Sequence, residues 1–138
     1  MERDELTFKI IGLAMKIHRE LGNGFQEVIY QRCLGIELAR ANVLFMREIE
    51  KDIFYEGYNV GTRRADFIVE DLIMLEIKAR VDLENVHLAQ AKNYLVAYNL
   101  PKGLLINFGA ASLQYKLIFN PKYTQNLIAY DKKMSEIK

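Results

Sequence analysis

The apolar run Leu72-Ile73-Met74-Leu75 passes straight into Glu76-Ile77-Lys78, ten residues after Asp66. A strand alternates its faces, so Glu76 and Lys78 share one face while Leu75, Ile77 and Ala79 share the other. A carboxylate and an amine on one face of a nearly buried strand are unfavourable unless they bind something. The run therefore has to lie within a sheet whose neighbouring strand supplies a second acid, for which Asp66 is the candidate. The result is a small, oxygen-lined pocket, which is what a divalent metal and a phosphodiester require.

The chain has 138 residues, which fits a single domain over 1–138 with a sizeable core. Apolar residues make up 51% and charged residues 27%, an ordinary globular balance. No apolar run approaches the roughly 20 residues of a membrane span, so no membrane partner is expected. The charged start Met1-Glu2-Arg3-Asp4-Glu5 lacks the apolar stretch of a secretory leader. A single cysteine, Cys33, excludes an internal disulfide and a cysteine metal cluster, and makes a cytoplasmic location the expectation. The net charge of +1 means that any nucleic-acid surface must be local.

Leu6, Ile10, Leu13, Ile17 and Leu21 predict a helix over about 4–21, closed by Gly22-Asn23-Gly24. A second helix is expected at about 25–41 and a strand from Phe45 to Tyr58, turning near Glu56-Gly57. Arg64–Val69 and Leu72–Ala79 read as two strands of a hairpin, and Leu83–Asn99 as a third helix. Gly103–Phe108 and Gln114–Phe119 read as further strands, with a short helix around Leu127, Ile128 and Met134 in the tail 120–138. That order gives an α/β fold with a mixed sheet.

Asp66 and Glu76 on paired strands would bring two carboxylates together, each raising the pKa of the other unless a cation lies between them. Mg²⁺ suits such a pair, because it takes one or two protein carboxylates and fills its other positions with water and phosphate oxygens. A solvated acidic edge is the bland reading of the same spacing. Lys78 beside a bound water could offset charge developing at phosphorus; otherwise it is a lysine reaching out from the sheet edge. His87, Gln90 and Tyr94 fall on one helical stripe that could look into the same cleft. Gln90 could bond water or phosphate and Tyr94 could bond phosphate or stack on a base, whereas His87 reads better as simply exposed. Glu27, with Tyr30 one turn on, is either a dipole-stabilised acid or a third carboxylate.

These residues resemble a known pattern. Gly24-Phe25-Gln26-Glu27-Val28-Ile29-Tyr30 carries the G-x-x-E-x-x-Y signature of the GxxExxY protein family, which lies within the PD-(D/E)XK nuclease superfamily. His18 to Gly24 resembles its H-x-x-L-G-x-G lead-in, Arg64-Ala65-Asp66 its R-x-D strand, and Glu76-Ile77-Lys78 its E-x-K. His87 to Leu95 resembles its H-x-x-Q-x-x-x-Y-L helix, and Leu104 to Phe108 its closing L-I-N-F strand. Ala65 stands where the superfamily name has proline.

The resemblance implies a restriction-endonuclease-like αβββαβ core over about 25–119, preceded by an extra N-terminal helix. It implies a nuclease that hydrolyses phosphodiester bonds, DNA ahead of RNA, with Mg²⁺ as cofactor and Mn²⁺ as substitute. Asp66, Glu76 and the Ile77 backbone carbonyl would hold the metal, with Glu27 reaching it directly or through water. Lys78 would be the catalytic lysine, and Glu27 and Gln90 would assist. Arg64, Tyr94, Tyr30 and His87 are the candidate substrate contacts, and Arg63 stands beside Arg64 as a further phosphate ligand. A homodimer or a protein partner stays open. The alternative is a nuclease fold without turnover, acting as a nucleic-acid-binding or protein-interaction module.

Overall fold

A computed structural model describes residues 3–124 of the chain. The helix expected around Leu127, Ile128 and Met134 lies outside the described residues. Two helices come first, α1 (Arg3–Leu21) and α2 (Glu27–Arg40), followed by strands β1 (Phe45–Tyr55), β2 (Tyr58–Val69) and β3 (Ile73–Lys78). Helix α3 (Asn85–Tyr98) leads into β4 (Lys102–Asn107) and β5 (Gln114–Phe119). The elements appear in the expected order, but β2 begins at Tyr58, six residues before the expected Arg64.

The strands form one five-stranded sheet in the order β1-β2-β3-β4-β5. Only β3 and β4 run parallel, with α3 as the crossover between them. Helices α1 and α2 cover one face through Leu6, Ile10, Ile17, Tyr30 and Leu34, packed on Phe67, Leu75, Ile77 and Ile106. Helix α3 covers the other face through Ala91 and Leu95, packed on Ala65, Ile68, Met74 and Leu105. The alternation expected of β3 holds: Leu75 and Ile77 enter the first core and Met74 the second.

β2 departs from simple alternation. Phe67 faces α1 and α2, yet Ala65, two residues away, faces α3. The same flip occurs on β1 between Arg47, stacked on Phe67, and Ile49, which packs with the α3 core. Between the pairs Arg47–Phe67 and Ile49–Ala65 no pair forms, and Glu48 there takes φ 54°. The irregularity bends the β1–β2 ribbon where Asp66 sits. Tyr98, from the end of α3, seals the bend: its hydroxyl donates toward the Ile49 and Arg63 carbonyls and accepts the Ala65 N–H at 3.0 Å.

Candidate active site

The pairing of β2 with β3 runs only from Val69–Ile73 to Phe67–Leu75. One step further, the Asp66 carboxylate takes over as acceptor, with Oδ2 receiving the Ile77 N–H at 2.7 Å. The two strands part here, and Glu76 and Lys78 line a narrow cleft beneath α3 together with Arg63, His87, Gln90 and Tyr94. Glu76 is 2% exposed. Its Oε2 meets the Arg63 guanidinium at 3.3 Å, while Oε1 has no hydrogen-bond partner among the described residues.

Electrostatics follow from this burial. Desolvation, then the charge of Asp66, push the Glu76 carboxyl up to about 8, against the pull of Arg63 and Lys78. Desolvation also raises Asp66, opposed first by the Ile77 N–H. The pair therefore holds a proton more readily than isolated carboxyls would. Glu27, half-buried in the first turn of α2, is raised by desolvation and lowered most by Lys78, with Asp66 again acting against it. Asp66, Glu76, Lys78 and Glu27 thus form one electrostatic cluster at the parting of β2 and β3.

The donor set fits a hard divalent cation. Two carboxylates lie side by side, one oxygen of Glu76 lacks a partner, and a cation would take the place of that proton. Among the described residues no three His, Cys, Asp or Glu side chains converge as a ligand set. An ion held by Asp66 and Glu76 would keep its other positions for water and substrate oxygens.

Several expected contacts are corrected. Tyr30 is fully buried: its ring stacks on Phe108 at 4.6 Å, and its hydroxyl donates to Gly22 O at 2.7 Å and accepts Phe25 N–H at 3.1 Å. No surface remains for substrate. Tyr30 instead pins the Gly22–Phe25 loop, whose Gly22 sits at φ 77°, so that α2 starts with Glu27 beside Lys78. Tyr30→Phe is expected to lower the stability by about 1–3 kcal/mol, read as a lower urea midpoint. An unchanged midpoint would show that the hydroxyl is not a staple.

His87 is buried rather than exposed, and its Nδ1 accepts the Glu84 N–H at 2.9 Å, which fastens the start of α3. Arg64 is also displaced. It is exposed and registers with Glu50, and Arg63 lines the cleft in its place, stacked 4.0 Å from the Tyr94 ring centre. Gln90 and Tyr94 border the cleft as their stripe required. The cleft is too narrow as it stands to hold a water molecule.

Sequence reasoning missed Asn107. Its Oδ1 accepts Arg80 N–H at 2.8 Å and Gly109 N–H at 3.2 Å, and its Nδ2 donates to Arg80 O and to Gln114 Oε1, both at 2.9 Å. This fully buried amide holds the turn leaving β3, directly after Lys78. Gly109 completes the fit, because a Cβ there would lie 2.3 Å from Arg80 N. The available signal was an asparagine inside an otherwise apolar strand. Asn107→Ala is expected to cost several kcal/mol by orphaning these groups, read as a fall in Tm; a fall of less than a few degrees would contradict the brace.

No helix among the described residues is long and apolar enough to cross a membrane. The crystal structure of SSO0001 shares the fold, with a TM-score of 0.55 at 22% identity. The alignment covers 80% of this chain and 59% of that one, so this chain spans less than two thirds of its length. No curated protein matches. A family model of the PD-(D/E)XK nuclease superfamily matches residues 4–118. Those residues contain the sheet, all three helices and the acidic cluster, and the chain belongs to the PD-(D/E)XK nuclease superfamily.

Proposed function

We propose that this protein is a divalent-metal-dependent nuclease of the GxxExxY type, hydrolysing phosphodiester bonds in DNA ahead of RNA. The observation that carries the reading is the buried Asp66–Glu76 pair, with one carboxylate oxygen unpartnered and Lys78 on the same face of β3. Members of this superfamily typically use divalent metal ions. Bound Mg²⁺ or Mn²⁺ would supply Lewis acidity and a water of lowered pKa.

The side chains divide the remaining work. Asp66 and Glu76 would hold the cation, with the Ile77 carbonyl as a backbone ligand and Glu27 reaching it directly or through water. Water oxygen bonds to phosphorus and one bridging P–O bond breaks, leaving a phosphate monoester and an alcohol. Lys78 offsets the negative charge that grows on the phosphoryl oxygens. Glu27, whose raised pKa suits a base, receives the proton of the attacking water. Gln90 orients that water or a phosphate oxygen through its amide. Arg63 leaves Glu76 for a phosphate, with Tyr94 stacked behind its guanidinium.

A second reading, a nuclease fold that binds without turnover, draws on the Arg63–Glu76 pair that fills the cleft and on the net charge of +1. Cleavage of single-stranded, duplex, flapped and branched DNA and of RNA, with Mg²⁺ or Mn²⁺, separates the two. Products from wild type and none from Asp66→Ala support the enzyme; no products from wild type at high concentration support the binder. The thermal midpoint of wild type should also rise with added Mg²⁺ or Mn²⁺, while that of Asp66→Ala should not. An equal rise in both would remove Asp66 from the metal site.

A further inference from the structure

Beyond the pairing with β3, the stretch of β2 from Tyr58 to Asp66 has β1 as its only strand neighbour among the described residues. The two strands continue past the acidic cluster as a free ribbon that ends in the turn Glu56-Gly57. From Lys51 to Thr62 every residue is exposed except Ile53, which is half-exposed. The apolar side chains of this ribbon are large and bare: Phe54 is 63%, Tyr55 68%, Tyr58 76% and Val60 61% exposed. Two tyrosine rings side by side on one face of the tip, Tyr55 and Tyr58, form an exposed aromatic patch of the kind that marks a contact surface.

Charge is sorted along and across the ribbon. At its root Lys51 and Arg63 are register partners, and both lie over aromatic rings of α3, Lys51 over Tyr98 and Arg63 over Tyr94. They therefore face the cleft side. Glu50 and Asp52 alternate to the opposite face. The cations stand next to the reacting centre, whereas the tip carries rings and the acid Glu56, which would repel a phosphate.

We propose that this ribbon is a substrate-holding arm and that its partner is nucleic acid with unpaired bases, a single strand or a splayed or branched end. The inference rests on the nuclease reading and names its substrate class. Lys51 and Arg63 take phosphates beside the cleft, and the register partners Tyr55 and Tyr58, on the same face as Lys51, stack on unpaired bases, whose faces a closed duplex hides. Rings suit this partner because every base offers a π-face whatever its sequence.

The test is fluorescence anisotropy in EDTA, with a labelled single-stranded oligodeoxynucleotide and the matching blunt duplex. Wild type is compared with the double variant Tyr55→Ala/Tyr58→Ala, both at exposed positions on the cleft face of the ribbon. Wild type should bind the single strand more tightly than the duplex. The double variant should lose at least about tenfold on the single strand and little on the duplex. Equal binding of the single strand by both proteins overturns the arm, as does a wild-type preference for the duplex. A dimer in sedimentation that the double variant converts to monomer also overturns it, because the rings would then be covered by a second copy. Cleavage by wild type is scored separately. Active enzyme with an indifferent arm defeats only this inference, while single-strand binding through the arm without cleavage defeats the nuclease reading.

Discussion

Replacing Glu76 with glutamine is expected to stabilise the metal-free protein at alkaline pH while abolishing its hydrolytic activity. Burial, then the charge of Asp66, lift the Glu76 carboxyl from 4.5 to about 8 in the folded protein. The unfolded chain releases this proton near the lower value and the native protein keeps it to the higher one. Between those two values the native state binds more protons, so stability falls as pH rises. The contribution is whole below the unfolded pKa of 4.5 and is lost as pH climbs through about 8. Its size is on the order of a few kcal/mol. Glutamine keeps a neutral side chain of the same shape and has no proton to lose. Urea midpoints in EDTA at about pH 6 and about pH 9 check this, since wild type should lose stability across that window and the variant should not. Parallel losses in both proteins would mean that the titrating group is elsewhere.

Lys78→Ala is expected to reduce cleavage by at least about 10²–10³-fold, the usual effect of removing one preorganised stabilising charge. The same substitution should leave the fold intact, because Lys78 is half-exposed and its stem stands at the rim of the cleft. The kinetic split is informative. If Lys78 acts on charge that develops in the transition state, kcat falls and KM changes little. Lys78→Arg should recover little of the activity, since a planar guanidinium does not reproduce a compact ammonium. Full activity in Lys78→Ala, or a loss confined to KM, would take the lysine out of the chemical step. Near-normal circular dichroism and an unchanged urea midpoint would show that the loss is chemical rather than structural.

Much of the fold was legible because periodicity is a local property. The step of three and four in α1 required a helix at the surface of a core, and Leu6, Ile10 and Ile17 are buried in it. The β5 strand begins and ends where its composition placed it. The hairpin at Glu70-Asp71 was readable for the same reason, as was the face shared by Glu76 and Lys78. Tyr30 was misread because a tyrosine near a functional motif looks the same whether it meets substrate or backbone, and His87, read as exposed, is buried in the lining of the cleft. Only the partners decide, and those partners are Gly22 and Phe25 for Tyr30 and Glu84 for His87.

The sequence by itself determined the element order, the two apolar faces of the sheet and the acids and lysine that could meet on it. Those follow from side-chain period and from the reluctance of charge to be buried alone. Only the tertiary structure decided which arginine enters the cleft, because the flip at Glu48 and Asp66 resets the alternation of β1 and β2 and turns Arg63 inward. It also decided that burial beside Asp66 raises the Glu76 carboxyl and that Asn107 braces the turn after Lys78. Both depend on groups brought together from distant positions in the chain, and no local pattern encodes a distance between them.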